Sequence, residues 1–131
     1  MAEVTLDKSK TALLMADFSA GNMAQNPIVK ERQTFERAGE VLAAARKTGI
    51  FVTYCISHFR PGYPEIPAQH NPRSPMRASG AVLPADPALL IHPSVQPKEG
   101  EPVIAKHRTS AFSGSAFDTI LRRVLNSGGR P

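Results

Sequence analysis

Tryptophan is absent and cysteine occurs once, at position 55. A single thiol excludes an intrachain disulfide and a cysteine-based zinc framework. Long apolar runs are missing too; none approaches the roughly 20 residues needed to cross a bilayer. Residues Met1 to Lys10 are polar and mixed in charge, unlike a secretory leader. A cytoplasmic protein with no membrane partner is therefore expected. Acids are in the minority: 16 Lys and Arg face 11 Asp and Glu, a formal net charge of +5. The excess is scattered, its longest runs being the pairs Arg46-Lys47 and Arg122-Arg123. A polyanion site gathers charge on one face. No nucleic-acid partner is expected, and the surplus reads as helix surface.

What is present points to an α/β domain. Residues 11–16 (TALLMA) form a continuous apolar run, as suits a strand buried in a parallel sheet. A helix is expected from Glu31 to Thr48. Its apolar stripe is Phe35, Ala38, Leu42 and Ala45, and Arg32 and Glu36 are spaced to pair weakly. Gly49 is placed to end the helix in a left-handed conformation. Residues 50–56 (IFVTYCI) are β-branched and aromatic, a second buried strand. The βαβ unit so formed should be right-handed and its strands parallel. A third strand is expected at Pro102–Lys106. A last helix follows from Ser115, with Asp118 as a capping-box partner and Phe117, Ile120, Leu121 and Val124 as its buried face. Asn126, Gly128 and Gly129 should stop it.

Proline is concentrated. Of 12 in the chain, ten fall between Pro61 and Pro102. Residues 57–101 are accordingly read as one long loop within a single domain spanning 1–131. Tyr63, Ile66, Met76, Leu83, Leu89, Leu90 and Ile91 are its candidates for packing on the sheet, with a short helical turn at 89–91. Long loops in compact domains are more often functional than not.

Two charged residues stand where buried strands should stop. Asp17 follows the first run and Lys106 ends the third. Ligands of open α/β sheets bind at the carboxyl ends of strands, so this carboxylate and ammonium are expected to share one site. Cys55 lies inside an apolar run and reads as a small core hydrophobe. Among the four His, none shows metal-ligand spacing, and no metal or other cofactor is expected. Arg60 follows the second strand; it is either a clamp for a substrate carboxylate or a solvated loop residue. Phe18, Tyr63 and Phe112 either line a pocket or cap the core.

In order and spacing, TALLMADF, ERAGEVLAAARKTGI, FVTYCISHFRPG and VIAKHRTSAFSGSAFDTIL resemble the isochorismatase-like cysteine hydrolases. The resemblance covers residues 11–125. It implies a three-layer α/β/α sandwich of Rossmann type with a parallel sheet of six strands ordered 3-2-1-4-5-6, truncated here to about three. It implies hydrolysis of an amide- or imide-type C–N bond, or of a vinyl ether, in a small molecule. In the family an Asp, a Lys and a Cys share the site; by position Asp17 matches the Asp and Lys106 the Lys. Phe18, Arg60, His107 and Phe112 are the substrate-binding candidates. The Gln often found two places after the Asp is here Ser19. The family nucleophile follows a fourth strand, and no residue of this chain matches it. The 131-residue chain is thus expected to be an incomplete domain, inactive alone, and a homo-oligomer through its exposed first strand. The alternative is a non-catalytic protein that self-associates or docks on a full-length partner.

Overall fold

The computed structural model describes residues 4–69, 71 and 73–127. Strands β1 (Ala12–Ala16), β2 (Phe51–Ser57) and β3 (Val103–Lys106) form one sheet in the order β1-β2-β3. Both pairings are parallel, with Ala16 opposite Cys55 and Ser57 opposite Lys106. Short helices α1 (Asn22–Gln25) and α2 (Pro27–Glu31) precede α3 (Thr34–Thr48). Helix α4 (Ser74–Ser79) interrupts the proline-rich segment, and α5 (Phe117–Asn126) follows β3.

Side-chain alternation along β2 explains the layering. Val52, Tyr54 and Ile56 pack with Phe35, Leu42 and Ala45 of α3. Cys55 points the other way and packs with Ile104 and with Phe117 of α5. Residues 51–56 are buried throughout, so polar Thr53 needs a partner; its hydroxyl donates to the Pro102 carbonyl at 3.1 Å. This is the expected three-layer arrangement. Among the described residues, no helix is long and apolar enough to cross a membrane.

Four local expectations change. The helix expected from Glu31 breaks at Gln33, whose φ of 51° is left-handed and separates α2 from α3. Arg32 therefore lies on the cap of α2, and among the described residues it forms no ion pair with Glu36. Ser115 forms no capping box. Its hydroxyl oxygen accepts from Phe117 N at 3.1 Å and donates to Ala111 O, while Asp118 pairs with Arg122 at 2.9 Å. Of the loop apolars, Tyr63, Ile66 and Ile91 are buried, whereas Met76 and Leu89 are exposed, because α4 and the turn at Pro87–Leu90 direct them outward. Gly49 does end α3 with φ 74°. Gly128 and Gly129 lie outside the described residues.

At the amino ends of the strands a polar clamp holds the layers together. Arg46 of α3 donates to both Glu101 oxygens, at 2.8 and 2.7 Å. It also reaches Gln96 O at 2.9 Å and the Tyr54 hydroxyl at 3.2 Å. A bidentate guanidinium–carboxylate pair is among the stronger polar contacts. Burial works to raise the Glu101 pKa, but the Arg46 bond outweighs it and holds it below the usual 4.5. Burial pushes the Tyr54 phenol up to about 12, against an ordinary value of 10.0.

The signs of these shifts differ. A raised phenol pKa gives a contribution complete below pH 10 and lost as pH climbs towards 12; a depressed carboxyl pKa gives one lost as pH falls through the acid range. Tyr54→Phe is expected to flatten the alkaline arm of stability measured by urea unfolding. Glu101→Ala is expected to cost roughly 1–3 kcal/mol at neutral pH and to flatten the acid arm. Unchanged pH profiles in both variants would contradict the clamp.

Candidate functional site

Asp17 is the first residue beyond β1. Its N–H still donates to Cys55 O at 2.9 Å, completing the ladder, but its φ of 59° turns the chain out of the sheet. Asp is one of the few residues other than Gly that tolerates this left-handed region. The turn closes with Ser19 N donating to Asp17 O at 2.7 Å.

Lys106 ends β3, two strands away. Adjacent strands are about 4.8 Å apart, so Asp17 and Lys106 are separated by nearly twice that distance across β2. A lysine stem is long enough to cross. Its Nζ lies 2.8 Å from Asp17 Oδ2 and donates to Thr109 O at 3.3 Å. The Lys106 side chain is 4% exposed and that of Asp17 53%. A buried ammonium is thus offered to a carboxylate open to solvent. The two residues expected to share a site do meet, at the carboxyl end of the sheet.

Cys55 is buried on the face covered by α5. Burial and then the Asp17 charge push its thiol pKa up, while Lys106 opposes them. The thiol therefore stays protonated near neutrality and packs as a hydrophobe.

The other candidates spread around this pair. Phe18 lies edge-on to Phe35, 5.9 Å between centroids, on the α3 side. Phe112 is 54% exposed and edge-on to Phe117 at 4.7 Å, on the α5 side. His107 donates from Nδ1 to His58 O at 2.7 Å and lies against Phe59. Arg60 is ion-paired with Glu65, so its guanidinium already has a carboxylate. His70 lies outside the described residues. A cavity of about 860 Å³ lies elsewhere, at the amino end of β1, between Leu6, Leu13, Val41 and Ile50.

Sequence reasoning missed three contributors: the Thr109 carbonyl that holds Lys106, the left-handed turn at Asp17, and buried Glu65. Nothing in the local pattern marks the carbonyl or the burial. The turn had one signal, an Asp between an apolar run and the turn-rich segment at 19–22.

The isochorismatase domain model matches residues 11–126, and the chain belongs to this family. An isochorismatase family protein from Desulfovibrio vulgaris is 27% identical with a TM-score of 0.67; the match covers 87% of this chain and 61% of that one. N-carbamoylsarcosine amidase from Thermoplasma acidophilum is 25% identical with a TM-score of 0.62, over 86% of this chain and 60% of its own. A cysteine hydrolase from Pseudomonas syringae shares the fold at 20% identity and a TM-score of 0.62, over 92% and 57%. The chain thus spans about three fifths of the length of these structures. No match is found among curated proteins.

The ion pair is asymmetric, and so are the expected effects. Asp17→Asn leaves a buried ammonium facing a neutral amide and is expected to cost roughly 1–3 kcal/mol. Lys106→Met keeps the buried stem volume and frees an exposed carboxylate, so it is expected to cost less. Urea unfolding of both single variants and the double variant checks this; a larger loss in Lys106→Met would contradict it.

Proposed function

We propose that this chain carries the Asp–Lys half of a cysteine-hydrolase-type site, acting on the C–N bond of a small amide or imide or on a vinyl ether. The observation that supports this reading is the 2.8 Å contact between Asp17 and buried Lys106 at the carboxyl end of the sheet. In this reading Asp17 accepts a proton from the attacking group, and Lys106 compensates negative charge beside it. Phe18 and Phe112 bound the substrate from the two faces of the sheet, and Arg60 and His107 stand at its rim. Attack by a thiol needs a thiolate. Cys55 does not supply one, because it is buried and its pKa is raised. The proposal therefore assigns no nucleophile within the 131 residues and predicts that this chain alone is inactive.

A panel of small amides, imides and vinyl ethers tests this, with Asp17→Asn, Lys106→Met and Cys55→Ala alongside. No turnover is the expected outcome. Loss of a nucleophile from a coupled catalytic set typically costs several orders of magnitude. Turnover abolished by Cys55→Ala would overturn the assignment. Cys55 is also expected to react with a thiol reagent at least ~100-fold more slowly in the native chain than in urea.

A second reading, a non-catalytic self-associating protein, is favoured by the β1 edge. Among the described residues β1 pairs only with β2, and apolar Val4, Leu6 and Val41 are exposed at the adjacent cavity. Unpaired apolar edges recruit further strands. A second copy related by a two-fold axis would pair the two β1 edges antiparallel. Sedimentation should then show a dimer that Leu13→Lys dissociates. A monomer at every concentration would remove this reading.

A further inference from the structure

Residues 18–20, between Asp17 and α1, are held by the proline-rich segment. His92 N–H donates to Phe18 O and Ala20 N–H to Leu90 O, both at 2.9 Å, and Ser19 forms an antiparallel bridge with Ile91. Asp17, with its left-handed φ of 59°, is thus tied on both sides: its own N–H to Cys55 O, and the next residue to His92. A non-glycine residue in that region persists only where its surroundings over-determine it.

His92 anchors this tie. Its ring is stacked on Phe35 of α3, with centroids 4.0 Å apart. Its Nδ1 accepts from Ser94 N–H at 3.2 Å and lies 2.7 Å from Ser94 Oγ, which caps the short turn Pro93–Val95. The same contact recurs before Pro27 and Pro87, where Asn26 Oδ1 accepts from Ile28 N–H and Asp86 Oδ1 from Ala88 N–H, both at 2.9 Å. An amide or carboxylate oxygen keeps its lone pairs throughout the neutral range, whereas imidazole is the side chain that charges between about pH 5 and 8. A backbone N–H can only donate, so Nδ1 is unprotonated here and the ring hydrogen sits on Nε2. A proton on Nδ1 would face that N–H. The Ser94 hydroxyl can turn to accept it, but the backbone donor cannot. Lys30 of α2 and Glu36 of α3 line the same cavity of about 250 Å³ as the ring, one charge of each sign. Phe35 holds the ring in either state, since a cation over an aromatic face is also favourable.

We propose that His92 is a positioning residue for Asp17 and that a proton on its Nδ1 releases the hold, giving the turn at Asp17 a pH sensitivity set outside the ion pair with Lys106. This rests on the reading of Asp17 as the acting carboxylate, but its test observes the turn itself and not turnover, so either can fail alone.

The test is an NMR titration of the full chain from about pH 8 to about pH 5, following backbone amides and histidine ring nitrogens. At the alkaline end the His92 ring is expected as the Nε2–H tautomer. On acidification the amides of Asp17, Ser19 and Ser94 are expected to shift with the midpoint of that ring. His92→Asn puts an oxygen in the place of Nδ1, as Asn26 does, and is expected to abolish the response at Asp17 and Ser19 while shifts linked to the other histidines persist. His92→Phe keeps the contact with Phe35 but removes the acceptor. At the alkaline end its Asp17 and Ser19 amides are expected near the acid positions of the native chain, with exchange of the Ala20 N–H at least about tenfold faster. A role in packing alone would be met by Phe and not by Asn. An Nδ1–H tautomer at the alkaline end, a midpoint at Asp17 different from that of the ring, or a response that survives in His92→Asn would each overturn the proposal.

Discussion

Everything at the candidate site depends on a buried strand that contributes no side chain to the ion pair. β2 lies between β1 and β3 and fixes the distance across which Lys106 must reach. A one-residue slip on either side would move Asp17 or Lys106 to the opposite face, since side chains alternate with a period of two. The register Ala16–Cys55 and Ser57–Lys106 is therefore a functional constraint as well as a packing one. Burial on both faces secures it: α3 covers one side of β2 and α5 the other. A strand free to expose one face could slide; β2 cannot do so without presenting Thr53 or Cys55 to the wrong layer.

Polar contacts lock the register at both ends of the sheet. At the amino ends, Arg46 ties α3 to the approach to β3 through Glu101 and Gln96. At the carboxyl ends, Asp17 and Lys106 join the outer strands. The two differ in a way that bears on chemistry. Arg46 and Glu101 satisfy each other bidentately and are both largely shielded, which is a structural arrangement. Asp17 keeps half its surface in solvent while its partner is buried. An exposed carboxylate with one oxygen held by a fixed cation is positioned to meet another molecule.

Most of this was legible in the sequence, for particular reasons. The three strands were visible because strands buried on both faces are apolar without interruption, and Asp17 and Lys106 stood out as charges at their ends. The stripe of α3 was visible through Phe35, Leu42 and Ala45. The break at Gln33 was not, because Gln has no strong preference for a left-handed turn and the apolar period runs through it. The capping box at Ser115 failed because Ala111 lay within reach of the same hydroxyl. Glu65 and Glu101 were invisible for a deeper reason. An acid in a polar, proline-rich segment reads as solvated surface; the loop turn buries Glu65 beside its near neighbour Arg60, and only the fold brings Arg46 to Glu101 from 55 positions away.

The position of Cys55 sharpens the reading of the site. It lies directly across the ladder from Ala16, one residue before the catalytic candidate Asp17, so proximity alone would nominate it as the nucleophile. Environment decides otherwise. A thiol becomes a useful nucleophile when cations and solvent stabilise its anion. Here Lys106 is directed to Asp17 and Thr109 O, while Ile104 and Phe117 close over the sulfur. The carboxylate then acts on the thiol as a nearby negative charge that disfavours ionisation. Burial is what chiefly keeps the thiol neutral, and the charge of the same Asp that would activate an attacking group on its solvent side adds to it. A nucleophile served by this pair would have to approach from the solvent side of Asp17, where its carboxylate is open, and not through the sheet.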